Sequence, residues 1–224
     1  MREISYMRQE KIFNPEDQKF KIKIVGVGSI GSWVTFLLTK LGINNITIYD
    51  YDKVEMHNIP NQFFKLEDQD KFKVEALAKT IKEFTDTEIS YVVKEIDENT
   101  ELNPTADDIW ILALDSFEAR KLIFDKLQNY PVKIVDGRMG GEEFSIYVID
   151  CDDEKQCEEY QKSLELKPSK LQCGERSIVY TVASLASEII NIVKKIEKEE
   201  KYPTKIIRNM KQYFIINNQE EKCH

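Results

Sequence analysis

The sequence predicts an α/β fold: a Rossmann-like, mostly parallel sheet flanked by helices, with a C-terminal antiparallel and helical extension. Three observations predict it. Apolar segments rich in β-branched residues alternate with segments of helical spacing, a glycine-rich turn joins the first pair, and 224 residues suffice for one substantial α/β domain. We expect a single domain over residues 1–224, with a core at about 6–150 and the extension at 151–224.

The first strand, turn and helix define the start of the sheet. Residues 21–26 are a short β-branched segment, which predicts a buried strand. Residues 26–31 form a G-x-G-x-x-G turn, and an apolar helix follows through Leu41. Gly42 stands where a helix C-terminal cap is expected. Residues 45–50 predict the second strand, which completes a strand–turn–helix–strand unit.

The same alternation continues along the chain. Helical spacing predicts helices over residues 71–84 and 118–127, and apolar segments predict strands over 88–94, 108–114 and 132–136. Alternating elements of this kind favour parallel strands with helices on both faces of the sheet.

The extension has a different pattern. Residues 144–149 predict an antiparallel strand, and the charged residues 151–172 predict a mobile crossover loop. A long amphipathic helix is expected over 177–196, and an apolar run at 213–216 can pair as a strand.

Composition and charge exclude several classes of protein. The net charge of −8 argues against a nucleic-acid-binding surface. No apolar run approaches the length of about 18 residues that a membrane span needs, and the polar N-terminus lacks a signal peptide, so we expect a cytoplasmic protein. The four cysteines include no C-x-x-C pair, so no zinc is expected.

The glycine motif indicates a nucleotide site. Gly26, Gly28 and Gly31 follow a strand and open a helix, whose N-terminus favours phosphate. Asp50 falls 19 residues after Gly31, where a carboxylate can accept hydrogen bonds from ribose hydroxyls. The alternatives are a tight turn without a nucleotide, or the nicotinamide site of an oxidoreductase.

Four further motifs resemble the ThiF/MoeB/HesA family of adenylyltransferases, which are similar to ubiquitin-activating enzymes. They occur in the family's order over about residues 6–190, as Tyr6-Met7-Arg8-Gln9, Asp50-Tyr51-Asp52-Lys53-Val54-Glu55-Met56-His57-Asn58, Lys73-Val74-Glu75-Ala76, and Asp115-Ser116 followed by Arg120. The second resembles the family's D-x-D-x-V-x-x-x-N. Together they are far more specific than any single motif.

The resemblance implies a role for each position. The three glycines lie along the ATP phosphates, Asp50 holds the ribose, and Asp115 positions Mg²⁺. The remaining implied nucleotide contacts are Asn58, Asn61, Lys73 and Ser116. Arg8 reaches the phosphates of a partner subunit, which implies a homodimer. Lys73 is expected on an exposed, polar helix face in the pocket, where it neutralises charge.

Two departures from the family pattern stand out. Asn61 replaces an arginine that is expected on the triphosphate, and an amide lacks the charged, forked contact of a guanidinium. Either Arg138 or Lys71 compensates, or activity is weakened. The family's zinc cysteines are absent.

Cys173 precedes the long helix where some family members carry a covalent cysteine. A thiolate near Arg176 and a helix N-terminus gains reactivity, and a structural loop cysteine is the alternative. His57 and His224, the two histidines, have no triad partners in sequence, and we expect His57 to flank the nucleotide pocket.

The resemblance therefore implies an ATP- and Mg²⁺-dependent adenylyltransferase. It would activate the C-terminal glycine of a ubiquitin-like or sulfur-carrier protein as an acyl-adenylate. The alternatives are a non-enzymatic nucleotide-binding scaffold, an NAD- or FAD-dependent oxidoreductase, and a related enzyme that modifies a tRNA base or a peptide.

Overall fold

A computed structural model describes residues 4–165 and 177–212. These form one seven-stranded sheet of order β3-β2-β1-β4-β5-β6-β7, in which β1 to β5 are parallel and β6 and β7 are antiparallel. The strands are β1 (Lys21–Val25), β2 (Ile46–Asp50), β3 (Ser90–Val93), β4 (Asp108–Leu112), β5 (Lys133–Gly140), β6 (Glu143–Asp150) and β7 (Lys205–Asn209). The helices are α1 (Ser29–Leu41), α2 (Lys73–Thr85), α3 (Phe117–Leu127), α4 (Glu154–Glu165) and α5 (Val179–Glu197). The predicted fold class is confirmed.

Two apolar cores cover the two faces of the sheet. The larger one joins α1, α2 and α5 to the sheet, and the smaller one joins α3 and α4. The helix after β1 and the helix after β4 therefore lie on opposite faces, although β1 and β4 are neighbours. In an open parallel sheet, this reversal leaves a crevice at the carboxyl ends of the two strands, where ligands bind.

The first helix ends as expected. Gly42 has φ of +99°, and its N–H closes the helix on the carbonyl groups of Leu38 and Thr39. A Cβ at this position would also overlap Pro15 of the N-terminal segment. Glycine thus both ends α1 and lets the N-terminal segment pack against it.

The prediction of a loop over residues 151–172 was wrong for its first half, because residues 154–165 form α4. Asp153 accepts a hydrogen bond from the N–H of Gln156, which caps the first turn. Tyr160 and Leu164 are buried against α3 and the sheet, and Cys157 packs beside them. Their helical spacing within a charged stretch was the signal that the loop prediction overlooked.

The last strand also differs from the prediction. β7 covers Lys205–Asn209 and pairs with β6, whereas the sequence pattern pointed to the apolar run at 213–216. That run lies outside the described residues, as does the rest of the predicted crossover segment.

Candidate functional site

A cleft of about 1120 Å³ opens at the carboxyl ends of β1, β2, β4 and β5. Its volume suits a nucleotide-sized ligand. It brings together most of the residues that the sequence singled out, namely Gly26, Gly28, Asp50, Asn58, Asn61, Lys73, Asp115 and Ser116. His57 lines it too, as expected.

The three motif glycines are glycines for different reasons. Gly26 has φ of +85°, and a Cβ there would lie 2.7 Å from the Ala113 carbonyl oxygen. A Cβ at Gly31 would overlap the Gly26 carbonyl oxygen. At Gly28 the nearest atom to a Cβ would be the Gln62 Nε2, at 3.9 Å, so this side of the turn is open to the cleft. Packing thus requires Gly26 and Gly31, whereas Gly28 leaves room for a ligand.

Asp50 ends β2 beneath the glycine turn. One carboxylate oxygen accepts the N–H of Val27 at 2.8 Å, and the other accepts the N–H of Asp52 at 2.8 Å. Burial raises the pKa of the Asp50 carboxyl above its ordinary value, against the lowering effect of these two hydrogen bonds. The carboxylate is fixed in place, and its remaining lone pairs can accept hydroxyl groups.

Lys73 departs from its expected environment. The prediction of an exposed lysine was wrong, because Lys73 is only 7% exposed at the first turn of α2. Its Nζ lies 2.7 Å from the Asp52 carboxylate, and its backbone N–H donates to the Asp52 carbonyl at 2.9 Å. Asp52, which is half exposed, therefore holds the ammonium group in the cleft. Asp52 is the second aspartate of the D-x-D motif, but no pattern in the sequence indicated that it pairs with Lys73.

The loop after β2 presents amide side chains to the cleft. Asn58 is 7% exposed, and its side chain accepts the N–H of Glu55 at 2.9 Å, which fixes the loop. The Asn61 carbonyl accepts the indole N–H of Trp33 at 3.1 Å. Gln62 was not anticipated; it lines the cleft, and its Oε1 is buried without a hydrogen-bond partner in the described part of the chain. These amides offer neutral contacts, not charge.

The residues after β4 form the opposite side of the cleft. Asp115 is exposed there. Ser116 caps α3, since its hydroxyl accepts the N–H of Ala119 at 3.1 Å and donates to Glu118 at 2.8 Å. An exposed carboxylate beside a helix N-terminus can bind a hard cation, and the helix end can approach an anion.

A buried group of charges closes the cleft near β5. The guanidinium of Arg120 contacts the Asp136 carboxylate and donates to the Gly137 carbonyl at 3.1 Å. Arg138 donates to the other Asp136 oxygen at 2.6 Å, and the Tyr160 hydroxyl donates to the same oxygen at 2.9 Å. Burial lowers the pKa of Arg120 to about 10, so the guanidinium is still charged at neutral pH. Sequence reasoning named Arg120 and Arg138, but not their shared carboxylate.

Besides Gly31, two predicted residues do not line the cleft, and one falls outside the described residues. Arg8 is exposed and does not line the cleft, although Gln9 anchors its turn to the end of α1 through the Leu41 carbonyl at 2.7 Å. Lys71 pairs with Asp68 at 3.0 Å and is also absent from the cleft lining. Cys173 falls outside the described residues.

The described cysteines lack the features of a nucleophile. Cys151 and Cys157 are free thiols, and burial raises the pKa of both. Across residues 4–165 and 177–212, no group of three or more His, Cys, Asp or Glu side chains is arranged to hold a metal ion. None of the helices in these ranges is long and apolar enough to cross a membrane.

Curated relatives match part of this chain. Ubiquitin-like modifier-activating enzyme 5 of Culex quinquefasciatus is 33% identical over 116 residues, which is 46% of this chain and 29% of that protein. The enzyme of the same name from Aedes aegypti is 43% identical over 60 residues, covering 27% of this chain and 15% of that protein. The chain thus spans less than a third of these relatives' length.

Solved structures share the fold over most of the chain. MccB of E. coli, solved with AMPCPP and MccA, has a TM-score of 0.68 at 18% identity and covers 88% of this chain and 65% of its own. PaaA has a TM-score of 0.70 at 17% identity and covers 94% of this chain and 82% of its own. At such identities the likeness shows the fold alone.

The ThiF family profile matches residues 2–224, nearly the whole sequence. The motifs around the cleft all lie within this match. The chain belongs to the ThiF family.

Proposed function

We propose that this chain is an adenylyltransferase that uses ATP to activate a C-terminal carboxylate as an acyl-adenylate. The single observation that carries the proposal is one cleft that joins the open Gly28 turn, the fixed Asp50 carboxylate, the Lys73 ammonium and the exposed Asp115. MccB has been solved with ATP, and the curated relatives are named as activating enzymes, which supports the same function.

Asp50 and the glycine turn suit the nucleotide. The two Asp50 oxygens are oriented by backbone N–H groups and keep lone pairs for the ribose hydroxyls. The open face of Gly28 and the N-terminus of α1 suit the phosphates. An oxidoreductase would use the same turn, but it gives no role to Lys73 or Asp115.

Lys73 would neutralise charge on the phosphates as the bond to pyrophosphate breaks. The ammonium is already in the cleft and desolvated, so little reorganisation is needed when the negative charge moves. Asn58 and Asn61 would add neutral contacts to the triphosphate from the loop after β2. The carboxylate of the substrate would attack the α-phosphorus, forming the acyl–phosphate bond and releasing pyrophosphate.

Mg²⁺ fits the donors present at this site. Magnesium is held by one or two carboxylates together with substrate phosphates, and Asp115 offers an exposed carboxylate in the same cleft as the open Gly28 turn. When bound, the ion would add positive charge next to the phosphates. Asp115 is the group that would hold it, and the N-terminus of α3 at Ser116 would face the phosphates.

The substrate that we propose is the terminal glycine of a small ubiquitin-like or sulfur-carrier protein, in the cytoplasm. The chain would act as a homodimer, with Arg8 reaching the phosphates of the partner subunit, because Arg8 is exposed and outside its own cleft. In a later transfer the Cys173 thiolate would attack the carbonyl of the acyl-adenylate, forming a thioester with the carrier and releasing AMP.

Pyrophosphate release tests the proposal. Purified protein, ATP and Mg²⁺ should release pyrophosphate only when a carrier ending in Gly-Gly is added, and the same carrier without its terminal glycine is the control. The Cys173→Ala variant should still release pyrophosphate while it fails to transfer the carrier. Tighter binding of NADH than of Mg-ATP, measured by calorimetry, would instead favour the oxidoreductase.

A further inference from the structure

The charged group near β5 has more positive than negative charge. Arg120 and Arg138 both pair with Asp136, and no other carboxylate in the described ranges forms an ion pair with either arginine. The three side chains are 3%, 12% and 0% exposed, respectively. A buried cluster with one uncompensated positive charge is costly, and a bound anion would offset that cost.

Arg138 is the more exposed of the two arginines and has a spare donor. A guanidinium carries five N–H groups. Its Nε donates to Asp136, its Nη1 donates to the Ser163 carbonyl at 3.2 Å, and its Nη2 donates to the Ser163 hydroxyl at 3.0 Å. The Tyr160 hydroxyl is a further hydrogen-bond partner of the guanidinium, which leaves one terminal N–H without a partner among these contacts. Arg120 contacts Asp136 and donates to two backbone carbonyls. Its Nε has no hydrogen-bond partner in the described ranges, but the side chain is only 3% exposed, against 12% for Arg138.

Aromatic rings keep the Arg138 side chain in place. Its guanidinium carbon lies 4.2 Å from the ring centre of Tyr147, 5.1 Å from that of Phe117 and 5.3 Å from that of Tyr160. These contacts, with Asp136 and Ser163, leave the side chain little freedom to lose on binding. It also lines the cleft beside Met139.

The order of the strands places Arg138 on a definite side of the proposed ATP. Along the carboxyl edge come β2, β1, β4 and β5. Lys73 is tied to Asp52 just after β2, the glycine turn follows β1, Asp115 follows β4, and Arg138 lies on β5. The β5 residue Asp136 pairs with Leu112, the last of β4, so Arg138 extends beyond the parallel part of the sheet.

In phosphoryl and adenylyl transfer, the attacking and leaving oxygens lie roughly in line across the phosphorus. A pyrophosphate neutralised by Lys73 on the β2 side and an attacking carboxylate held by Arg138 on the β5 side would satisfy this in-line arrangement. From these observations we infer that Arg138 binds the carboxylate of the substrate and orients it for attack. The inference rests on the proposed function. It makes Arg138 a specificity-determining residue for substrates that end in a free C-terminal carboxylate.

Peptide binding tests the inference without requiring turnover. The first probe is a short peptide that ends in Gly-Gly with a free carboxylate, and the second is the same peptide with a C-terminal amide. Each is titrated into the full chain and followed by NMR, with and without Mg²⁺ and a non-hydrolysable ATP analogue. The wild type should bind the acid about 10- to 100-fold more tightly than the amide, as expected for a lost charge-assisted hydrogen bond. Arg138→Gln should abolish this preference while the affinity for the nucleotide stays within about twofold.

Two more variants separate the loss of the guanidinium from a loss of folding. Arg138→Lys keeps the positive charge and should retain part of the preference for the acid peptide over the amide. If Arg138→Gln does not fold, Arg138→Lys still tests the inference. Arg208→Gln is the matched control, because Arg208 pairs with Glu188 away from the cleft, and it should bind both peptides like the wild type.

Equal binding of acid and amide by the wild type, or no binding of either, would overturn the inference. So would an Arg138→Gln protein that loses nucleotide affinity but keeps the preference for the acid, because Arg138 would then serve the phosphates. A failure of the proposed function would look different: the wild type would not bind the ATP analogue, whereas the preference for the acid could still be measured without nucleotide.

Discussion

Replacing Lys73 with methionine should separate catalysis from stability. The substitution keeps most of the apolar stem, which is buried at the start of α2, and removes the ammonium that lies 2.7 Å from Asp52. Because Asp52 is half exposed, its carboxylate stays hydrated when its partner is gone. The pair therefore contributes at most about 1 kcal/mol to the free energy of unfolding, as for other ion pairs with a solvated partner.

The effect on the reaction should be much larger. Loss of one preorganised charged contact to a developing negative charge typically costs about 10²–10³ in rate. We therefore expect Lys73→Met to lower Tm by no more than about 2–4 °C while pyrophosphate release falls at least 100-fold, about 2.7 kcal/mol of lost transition-state stabilisation.

The assay compares Lys73→Met with Lys79→Met. Lys79 is on the same helix, is exposed and contacts Glu83 at 3.9 Å. Lys79→Met therefore makes the same chemical change at a position outside the cleft. Pyrophosphate release at saturating Mg-ATP and thermal melting are measured for both. An unchanged rate in Lys73→Met, or an equal loss in Lys79→Met, would refute the assignment of Lys73 to the phosphates.

Three further predictions follow from the same geometry. Gly28→Ala should weaken Mg-ATP binding in calorimetry without lowering Tm. Gly31→Ala should lower Tm sharply, because a Cβ at residue 31 would overlap the backbone and one at residue 28 would not. The reverse pattern would contradict the roles assigned to the two glycines. Mixing Arg8→Ala with Lys73→Ala should restore part of the activity through hybrid dimers, and a monomer in sedimentation would exclude action in trans. Burial raises the pKa of the Cys151 thiol. At about pH 8.5, near the ordinary pKa of a thiol, iodoacetamide should therefore label Cys151 far more slowly in the native than in the denatured protein. Equal labelling rates, measured by mass spectrometry, would count against the burial of Cys151.

Local signals in the sequence predicted the half of the cleft that contains the glycine turn and Asp50. The G-x-G-x-x-G turn and Asp50 depend on backbone geometry over a short stretch of chain, and the strand–helix alternation fixes which edge of the sheet they share. The structure places Asp50 directly under the turn, hydrogen-bonded to Val27. These features need no long-range packing to be recognised.

The missed features depend on long-range contacts. Lys73 is a lysine on a charged helix, and only the arrival of the loop after β2 buries it against Asp52. Likewise, the sequence places Asp136 at the end of an apolar strand and gives no partner for its carboxylate. Its contacts with Arg120 and Tyr160 form only when α3 and α4 pack against the sheet. A pattern along one segment cannot show which distant side chain will neutralise a charge.

Isotope exchange is the most direct test of adenylation itself. The protein is incubated with ATP, Mg²⁺, labelled pyrophosphate and a carrier ending in Gly-Gly. Because acyl-adenylate formation is reversible, the label should appear in ATP. This exchange should disappear without the carrier or with the Lys73→Met variant. Simple ATP hydrolysis would give no labelled ATP. Exchange that needs the carrier and Lys73 is the result that we predict; stoichiometric Mg-ATP binding without exchange for any carrier would contradict the assignment of this cleft to adenylyl transfer.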